Sequence, residues 1–267
     1  MQVQKGPVDY SYPQYQSQPS TGKGPDPYSY TYRDMPDNEE VEDGRLRATF
    51  TALHFELIKM LAPQGTEDNP ARTCRDIFRC HPQKESGMYW IDPNEGSPDD
   101  KFQVYCNKKT LESCIEASPD TAQNGTWYTG EPGHRLFSDM DDGFEFTYPV
   151  NTIQLTFLRL LTNQARQTVT YHCKNSVAAY DAEARNMDMA MRLITTTEAE
   201  LSADGKSTFR YDIIKDGCQR RTGNWEKTVL EYKTKKNTRL PIVNVAPADI
   251  GGADQEFGLE IGPVCFS

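Results

Sequence analysis

Positive charge is scarce in this chain: 29 Lys plus Arg stand against 39 Asp plus Glu, for a net charge of −10. Nucleic-acid phosphates demand a basic footprint, so no nucleic-acid partner is expected. Long apolar runs are missing as well. Stretches such as Ile153 to Leu161 are too short and too polar to cross a bilayer as a helix, so no membrane partner is expected either. The opening Met1-Gln-Val-Gln-Lys-Gly-Pro7 lacks the apolar stretch of a secretory signal. Catalytic signatures are absent too: a serine nucleophile elbow, a phosphate-binding glycine loop and a dinucleotide fingerprint are all missing. The four histidines, His54, His81, His134 and His172, show no zinc spacing among themselves. A thiol enzyme would rest on Cys80 alone, beside His81 and near Arg79. No catalytic residue is assigned and no enzyme is expected.

What the chain does have is cysteine, and an odd number of them. Seven stand at 74, 80, 106, 114, 173, 218 and 265. Six can close three bridges, in any of fifteen pairings, and the seventh suggests a bond to another chain. Bridged cysteines need an oxidising compartment. With no leader in the opening residues, the sequence is expected to be a piece of a secreted chain.

Hydrophobic residues make up 36% of the chain, low enough that part of it should bury nothing. Residues 1–44 fit that description. Segments such as Tyr28-Ser-Tyr-Thr-Tyr32 cannot bury enough surface to offset their ordering entropy, and a mobile arm is expected. Over 45–62 a helical pattern follows: Leu46, Phe50, Leu53, Leu57 and Met60 repeat at 4-3-4-3 spacing, the seam of a coiled coil. Pro63 and Gly65 stop it, and Phe55, Ile58 and Leu61 widen the apolar face. A helix this short is marginal alone in water. It either packs on its own domain or joins a bundle of more than two helices.

Residues 63–267 read as globular. Asn151 to Gln164 is predicted helical, with Ile153, Phe157, Leu160 and Leu161 on one face. Strands are predicted at Thr168 to His172, Thr208 to Ile214, Lys227 to Tyr232 and Pro241 to Val245, between Gly, Asp and Asn turns. That mixture is α+β. The turn-rich stretch Asp92-Pro-Asn-Glu-Gly-Ser-Pro-Asp-Asp100 crowds hard oxygen ligands of the kind Ca²⁺ prefers, although it lacks the spacing of an EF-hand; an acidic surface turn is the alternative reading. Asn124-Gly-Thr126 is an N-glycosylation sequon in a stretch expected to be a loop.

Several long motifs resemble one family, the C-terminal propeptide of fibrillar procollagens. They are Asn69-Pro-Ala-Arg-Thr-Cys-Arg-Asp76, Tyr89-Trp-Ile-Asp-Pro-Asn-Glu-Gly96, Gln154-Leu-Thr-Phe-Leu-Arg-Leu160, Thr170-Tyr-His-Cys-Lys-Asn-Ser176, Glu231-Tyr-Lys-Thr234, Gly252-Ala-Asp-Gln-Glu-Phe257 and Gly262-Pro-Val-Cys-Phe266. The match covers roughly Leu46 to Ser267.

The resemblance implies a non-catalytic module, assembled in the endoplasmic reticulum and then secreted to the extracellular matrix. It would join three related chains, as a homotrimer or heterotrimer, so that their triple helix can start, and would later be removed by proteolysis, which controls fibril formation. The expected fold is a disulfide-bonded, fibrinogen-like globular domain preceded by a short three-stranded coiled-coil stalk. The implied bridges are Cys74 with Cys106, Cys114 with Cys265, and Cys173 with Cys218. Cys80 matches a cysteine that links chains in the family, but the partner position holds Ser97 here, so self-linkage by the usual bond is excluded. Cys80 would then bond a different chain that keeps the second cysteine, or the trimer would be non-covalent, or Ser97 would be a change from the natural residue.

The implied calcium ligands are Asp92, Asn94, Glu95, Ser97 and Asp100. The implied chain-selection segment runs from Arg185 to Thr197, with Arg185, Asn186, Met187, Asp188, Met189, Met191 and Arg192 forming an adaptable surface. The family's own sequon before Tyr171 is absent, because Thr168 takes the asparagine position, and this leaves Asn124 as the glycan site. In the arm, Arg33 and Asp34 resemble the junction cut by an astacin-type proteinase, with Asp26 as the fallback, and Lys5 or Lys23 would serve as cross-linking lysines. A secreted fibrinogen-like domain that binds carbohydrate through its calcium loop is the alternative function.

Overall fold

The computed structural model describes residues 37–267 apart from 98 and 206, with side chains from 43 onward. Lys5, Lys23, Asp26 and the Arg33–Asp34 junction lie outside these residues. The chain divides into two units, Met1–Ala52 and Leu53–Ser267, and the first helix, α1 (Asp37–Leu61), runs through the division. It opens ahead of the expected start at 45 and takes Gly44 into its interior. Two exposed ion pairs, Arg47 with Asp43 and Lys59 with Glu56, both at 2.9 Å, add a few tenths of a kcal/mol at most. Every described side chain of α1 is exposed.

The rest of the chain is mostly β-sheet with few helices, whereas the sequence pointed to α+β. The elements follow in order as α2 (Cys74–Cys80), β1 (Gly87–Ile91), β2 (Phe102–Asn107), β3 (Glu112–Ile115), β4 (Thr121–Gly125) and α3 (Thr152–Leu161). After them come β5 (Ala165–Lys174), β6 (Arg192–Thr195), β7 (Glu200–Leu201), β8 (Asp212–Asp216) and β9 (Glu226–Thr234). The last are β10 (Ile242–Ala246), β11 (Glu256–Ile261) and β12 (Val264–Phe266). The reason for the difference lies in periodicity. Long apolar repeats announce helices, while strands such as Glu112-Ser-Cys-Ile115 are buried at every position and show no alternation.

Strand β5 is the axis of a nine-stranded sheet. Its residues alternate between buried and half-buried along the whole length, which puts Ala165, Gln167, Val169, Tyr171 and Cys173 on the core face. It pairs antiparallel with β9 along one edge, and along the other with β11 and then β12. The sheet continues from β12 through β3 and β2 to β1, and from β11 to β4. A second sheet runs β10-β6-β7.

Three disulfides fasten this arrangement: Cys74–Cys106 ties α2 to β2, Cys114–Cys265 joins facing residues of β3 and β12, and Cys173–Cys218 ties β5 to the segment after β8. By chain entropy each is worth about 4 kcal/mol. Phe137, Phe146, Phe257 and Tyr171 form a fully buried aromatic cluster, with Phe137 edge-on to Trp127 at 4.9 Å.

Helix α3 starts where Asn151 caps it, accepting a hydrogen bond from the Ile153 amide at 2.8 Å. Its buried side carries Gln154, Leu155 and Leu158. The apolar stripe that the sequence displays, Ile153, Phe157 and Leu160, is exposed instead.

Candidate functional site

The acidic loop between β1 and β2 is pinned to the domain at both ends and in the middle. The Asp92 amide donates to the Ala71 carbonyl at 2.7 Å, and the Glu95 amide to the Asp92 carbonyl at 3.2 Å. Gln154, fully buried at the start of α3, donates through Nε2 to Asp92 Oδ1 at 2.7 Å and to Asn94 Oδ1 at 3.0 Å, and accepts from the Asn94 amide at 3.2 Å. Asn94 Nδ2 in turn donates to Asp100 Oδ2 at 3.1 Å. Ser97 holds the far side: its Oγ accepts from the Asp99 amide and its carbonyl from the Asp100 amide. Glu95 adopts φ +51°, a left-handed conformation that costs a non-glycine residue energy.

The structure thus brings Asp92, Asn94, Glu95, Ser97 and Asp100 into one loop. Asp92 is only 7% exposed, and Asp100 Oδ1 is buried without a hydrogen-bond partner among the described residues. A buried carboxylate and a half-buried one that meet only amide donors leave negative charge uncompensated, which is costly away from water. A hard divalent cation fits this donor set of carboxylate, carboxamide and carbonyl oxygens.

A second grouping brings the carboxylate of Glu112 and the sulfurs of Cys114 and Cys265 within 4.8 Å of one another. Those sulfurs are bonded to each other and offer no thiolate. Glu112 is taken by Arg166, with both carboxylate oxygens accepting from the guanidinium at 2.7 Å. Burial alone would raise the Glu112 pKa, but the Arg166 fork, with a hydrogen bond from Thr110, outweighs it and holds the carboxyl below the usual range. This cluster belongs to the framework of the sheet.

Cys80 ends α2, exposed and free, with its Sγ 3.7 Å from the Leu61 carbonyl. Two clefts adjoin the acidic loop: Met60, Arg72, Asp76, Cys80 and Glu95 line one, and Glu56, Met60, Asn69, Asp92 and Glu95 line the other. Arg72 bridges Asp76 at 3.3 Å and Glu95 at 3.7 Å across the first.

The segment after Asp181 is a tight, turn-rich loop. Asp181 accepts from the amides of Glu183 and Ala184 and pairs with Arg221 at 3.1 Å. Burial would raise its pKa, and these donors together hold it below the ordinary carboxylate range. Arg185 and Asp188 are exposed, Arg185 at φ +57°, and Asn186, Met187, Met189 and Arg192 are half-buried. Met191 is fully buried, and its carbonyl accepts from the Tyr211 hydroxyl at 2.6 Å. It therefore leaves the expected surface: spacing among charged residues suggested exposure, but the chain turns inward there to start β6. Asn124 was expected in a loop and instead lies near the end of strand β4.

The architecture is that of a disulfide-framed β domain with an acidic loop, a free thiol and an exposed helix. A family model for the fibrillar collagen C-terminal domain matches residues 42–266. The chain is 45% identical over 262 residues to the collagen alpha-1(II) chain of Xenopus tropicalis, covering 94% of this chain and 17% of that protein. It is also 45% identical to the alpha-1(II) chain of Gallus gallus, covering 92% and 30%, and to the collagen alpha-2(I) chain of Oncorhynchus mykiss, covering 88% and 18%.

The chain belongs to the fibrillar collagen C-terminal domain family. This family is a structural, non-catalytic module, and the collagens that match are extracellular matrix proteins. The chain spans less than a third of the length of these relatives. Among the described residues no helix is long and apolar enough to cross a membrane.

Proposed function

We propose that this domain joins three procollagen chains in register in the endoplasmic reticulum so that their triple helix can start, and that it is later removed by proteolysis. The observation that carries the reading is α1, where Leu46, Phe50, Leu53, Leu57 and Met60 are all more than half exposed. Burying such a seam against other chains would contribute on the order of 10 kcal/mol per chain before association entropy is counted. A triple-helical tract offers no unique register, and a folded trimer at one end supplies both alignment and high local concentration.

On this reading residues 45–62 form a three-stranded stalk, 63–267 the fibrinogen-like base and petal, and 1–44 a telopeptide-like arm cut by an astacin-type proteinase at Arg33–Asp34. Calcium, supplying positive charge, would be held by Asp92, Asn94, Glu95, Ser97 and Asp100 and would order the loop beside Cys80. Since Ser97 offers no thiol, covalent self-linkage by the usual bond is excluded: either Cys80 bonds a related chain that keeps the missing cysteine, or the trimer is non-covalent. Arg185, Asn186, Met187, Asp188, Met189 and Arg192 select the partner.

Light scattering combined with non-reducing electrophoresis tests this reading. Three chains per particle, with no covalent homotrimer, is the expected result, and a monomer at micromolar concentration would contradict it. Titration calorimetry with Ca²⁺ tests the loop: heat of binding is expected, and its loss in Asp100→Asn checks the assignment.

A further inference from the structure

The sequon at Asn124 is left unused by that reading, and its place in the sheet gives it a role. Strand β4 is the last strand of its sheet, pairing only with β11 among the described residues. Its other side pairs with no strand among the described residues, and an open strand edge is a template for pairing with another chain. The β4–β11 register shifts between the pairs Gly125–Phe257 and Ala122–Leu259, so Asn124 sits in the irregular step between them. Asn124 and Thr126 are both exposed.

Among the described residues the Asn124 carboxamide makes no hydrogen bond. It lies over Gly258 of β11, in space that a β-carbon on Gly258 would need. The flanking chain is fixed. Trp127 Nε1 donates to the Gln123 and Phe257 carbonyls, each at 3.1 Å, and Thr126 Oγ1 donates to the Gln255 carbonyl at 3.4 Å. The triplet is thus held at the surface with an uncommitted amide.

We infer that Asn124 carries an N-linked oligosaccharide that covers the open β4 edge and keeps it from pairing with other chains. The step is a glycosyl transfer from a lipid-pyrophosphate-linked oligosaccharide. Asn124 Nδ2 forms a bond to the anomeric carbon as that carbon's bond to the pyrophosphate oxygen breaks. The amide proton passes to a base of the transferase, and the bonding electrons leave with the lipid pyrophosphate. A triplet fixed this firmly in the sheet is modified on the nascent chain, before β4 docks on β11. The inference rests on the secretory reading, because only that compartment supplies the donor.

The test is secretion of the chain from eukaryotic cells behind a cleavable leader, followed by intact-mass and peptide mapping with and without an N-glycan-cleaving amidase. The expected result is an oligosaccharide mass on the peptide bearing Asn124, lost in Asn124→Gln and in Thr126→Ala but retained in Thr126→Ser. Secreted Asn124→Gln should also show more large aggregates by light scattering than the parent chain. A secreted chain with all three disulfides closed and Asn124 bare would overturn the inference and leave the secretory reading standing. A chain that emerges with those cysteines reduced would overturn both.

Discussion

Helices α1 and α3 both display apolar stripes to solvent, yet only one has a core beneath it. Helix α3 leaves Ile153, Phe157 and Leu160 exposed but rests on Leu155, Leu158 and Gln154, capped by Asn151 and joined to the acidic loop. Helix α1 has no buried described residue at all. A helix of that kind buries no described side chain in its own domain and is marginal in water unless something covers it. The difference teaches that exposure of apolar residues alone is a weak sign of a partner. Exposure of every described side chain of a helix is a strong one.

The comparison breaks most sharply if α1 is made polar. Replacing Leu53 and Leu57 together with Asp is expected to abolish assembly, turning trimer into monomer by light scattering, while the domain keeps its three bridges and its melting temperature. A large loss of domain stability would mean that α1 packs on its own domain after all. A pair of alanine variants in α3 sharpens the contrast. Leu158→Ala, on the buried side, should cost about 2–5 kcal/mol in denaturant unfolding. Leu160→Ala, on the exposed stripe, should stay within about 0.5 kcal/mol. Equal effects would erase the distinction drawn between the two faces.

The smallest effect concerns acid. Glu112 and Asp181 have carboxyls held below their ordinary pKa by hydrogen bonds and half-buried arginines, Arg166 and Arg221. Their contribution is therefore fully present above the unfolded carboxylate value near pH 4, and is lost as pH falls through the lower folded values. Thermal melts should show the domain losing stability below about pH 4. Glu112→Gln should flatten that dependence and cost about 2 kcal/mol at neutral pH. A parent chain whose melting temperature is flat through that range would contradict the assignment.

How much of this was legible in the sequence depended on the kind of signal each element sends. The 4-3-4-3 spacing from Leu46 to Met60 announces a helix, and α1 is one. The repeat from Ile153 to Leu161 announces α3 but not its orientation, because the helix is apolar on two sides and only packing chooses between Leu158 and Leu160. Strands β5, β9 and β10 overlap the runs read from β-branched residues, and the Thr208 to Ile214 run overlaps only the start of β8.

Strands β1 to β4, β6, β7, β11 and β12 lie outside those runs. The alternation in Phe102-Gln-Val-Tyr-Cys106 could have revealed β2, whereas the fully buried β3 and β12 carry no period to read. At the acidic loop, composition suggested the ligands. Composition could not supply Gln154, which sits far along the chain and reaches the loop only because α3 packs there. The free thiol was visible as an odd count, and its neighbours Arg72 and Glu95 were not.

The central claim is that other chains cover the seam of α1. Backbone hydrogen exchange over Asp37–Leu61 tests it most directly, read at rising protein concentration. The account predicts amides protected at high concentration, with protection lost on dilution and in the Leu53 and Leu57 double variant. Amides that exchange at unfolded rates at every concentration would contradict it, as would protection that dilution leaves unchanged in a particle sized as a monomer.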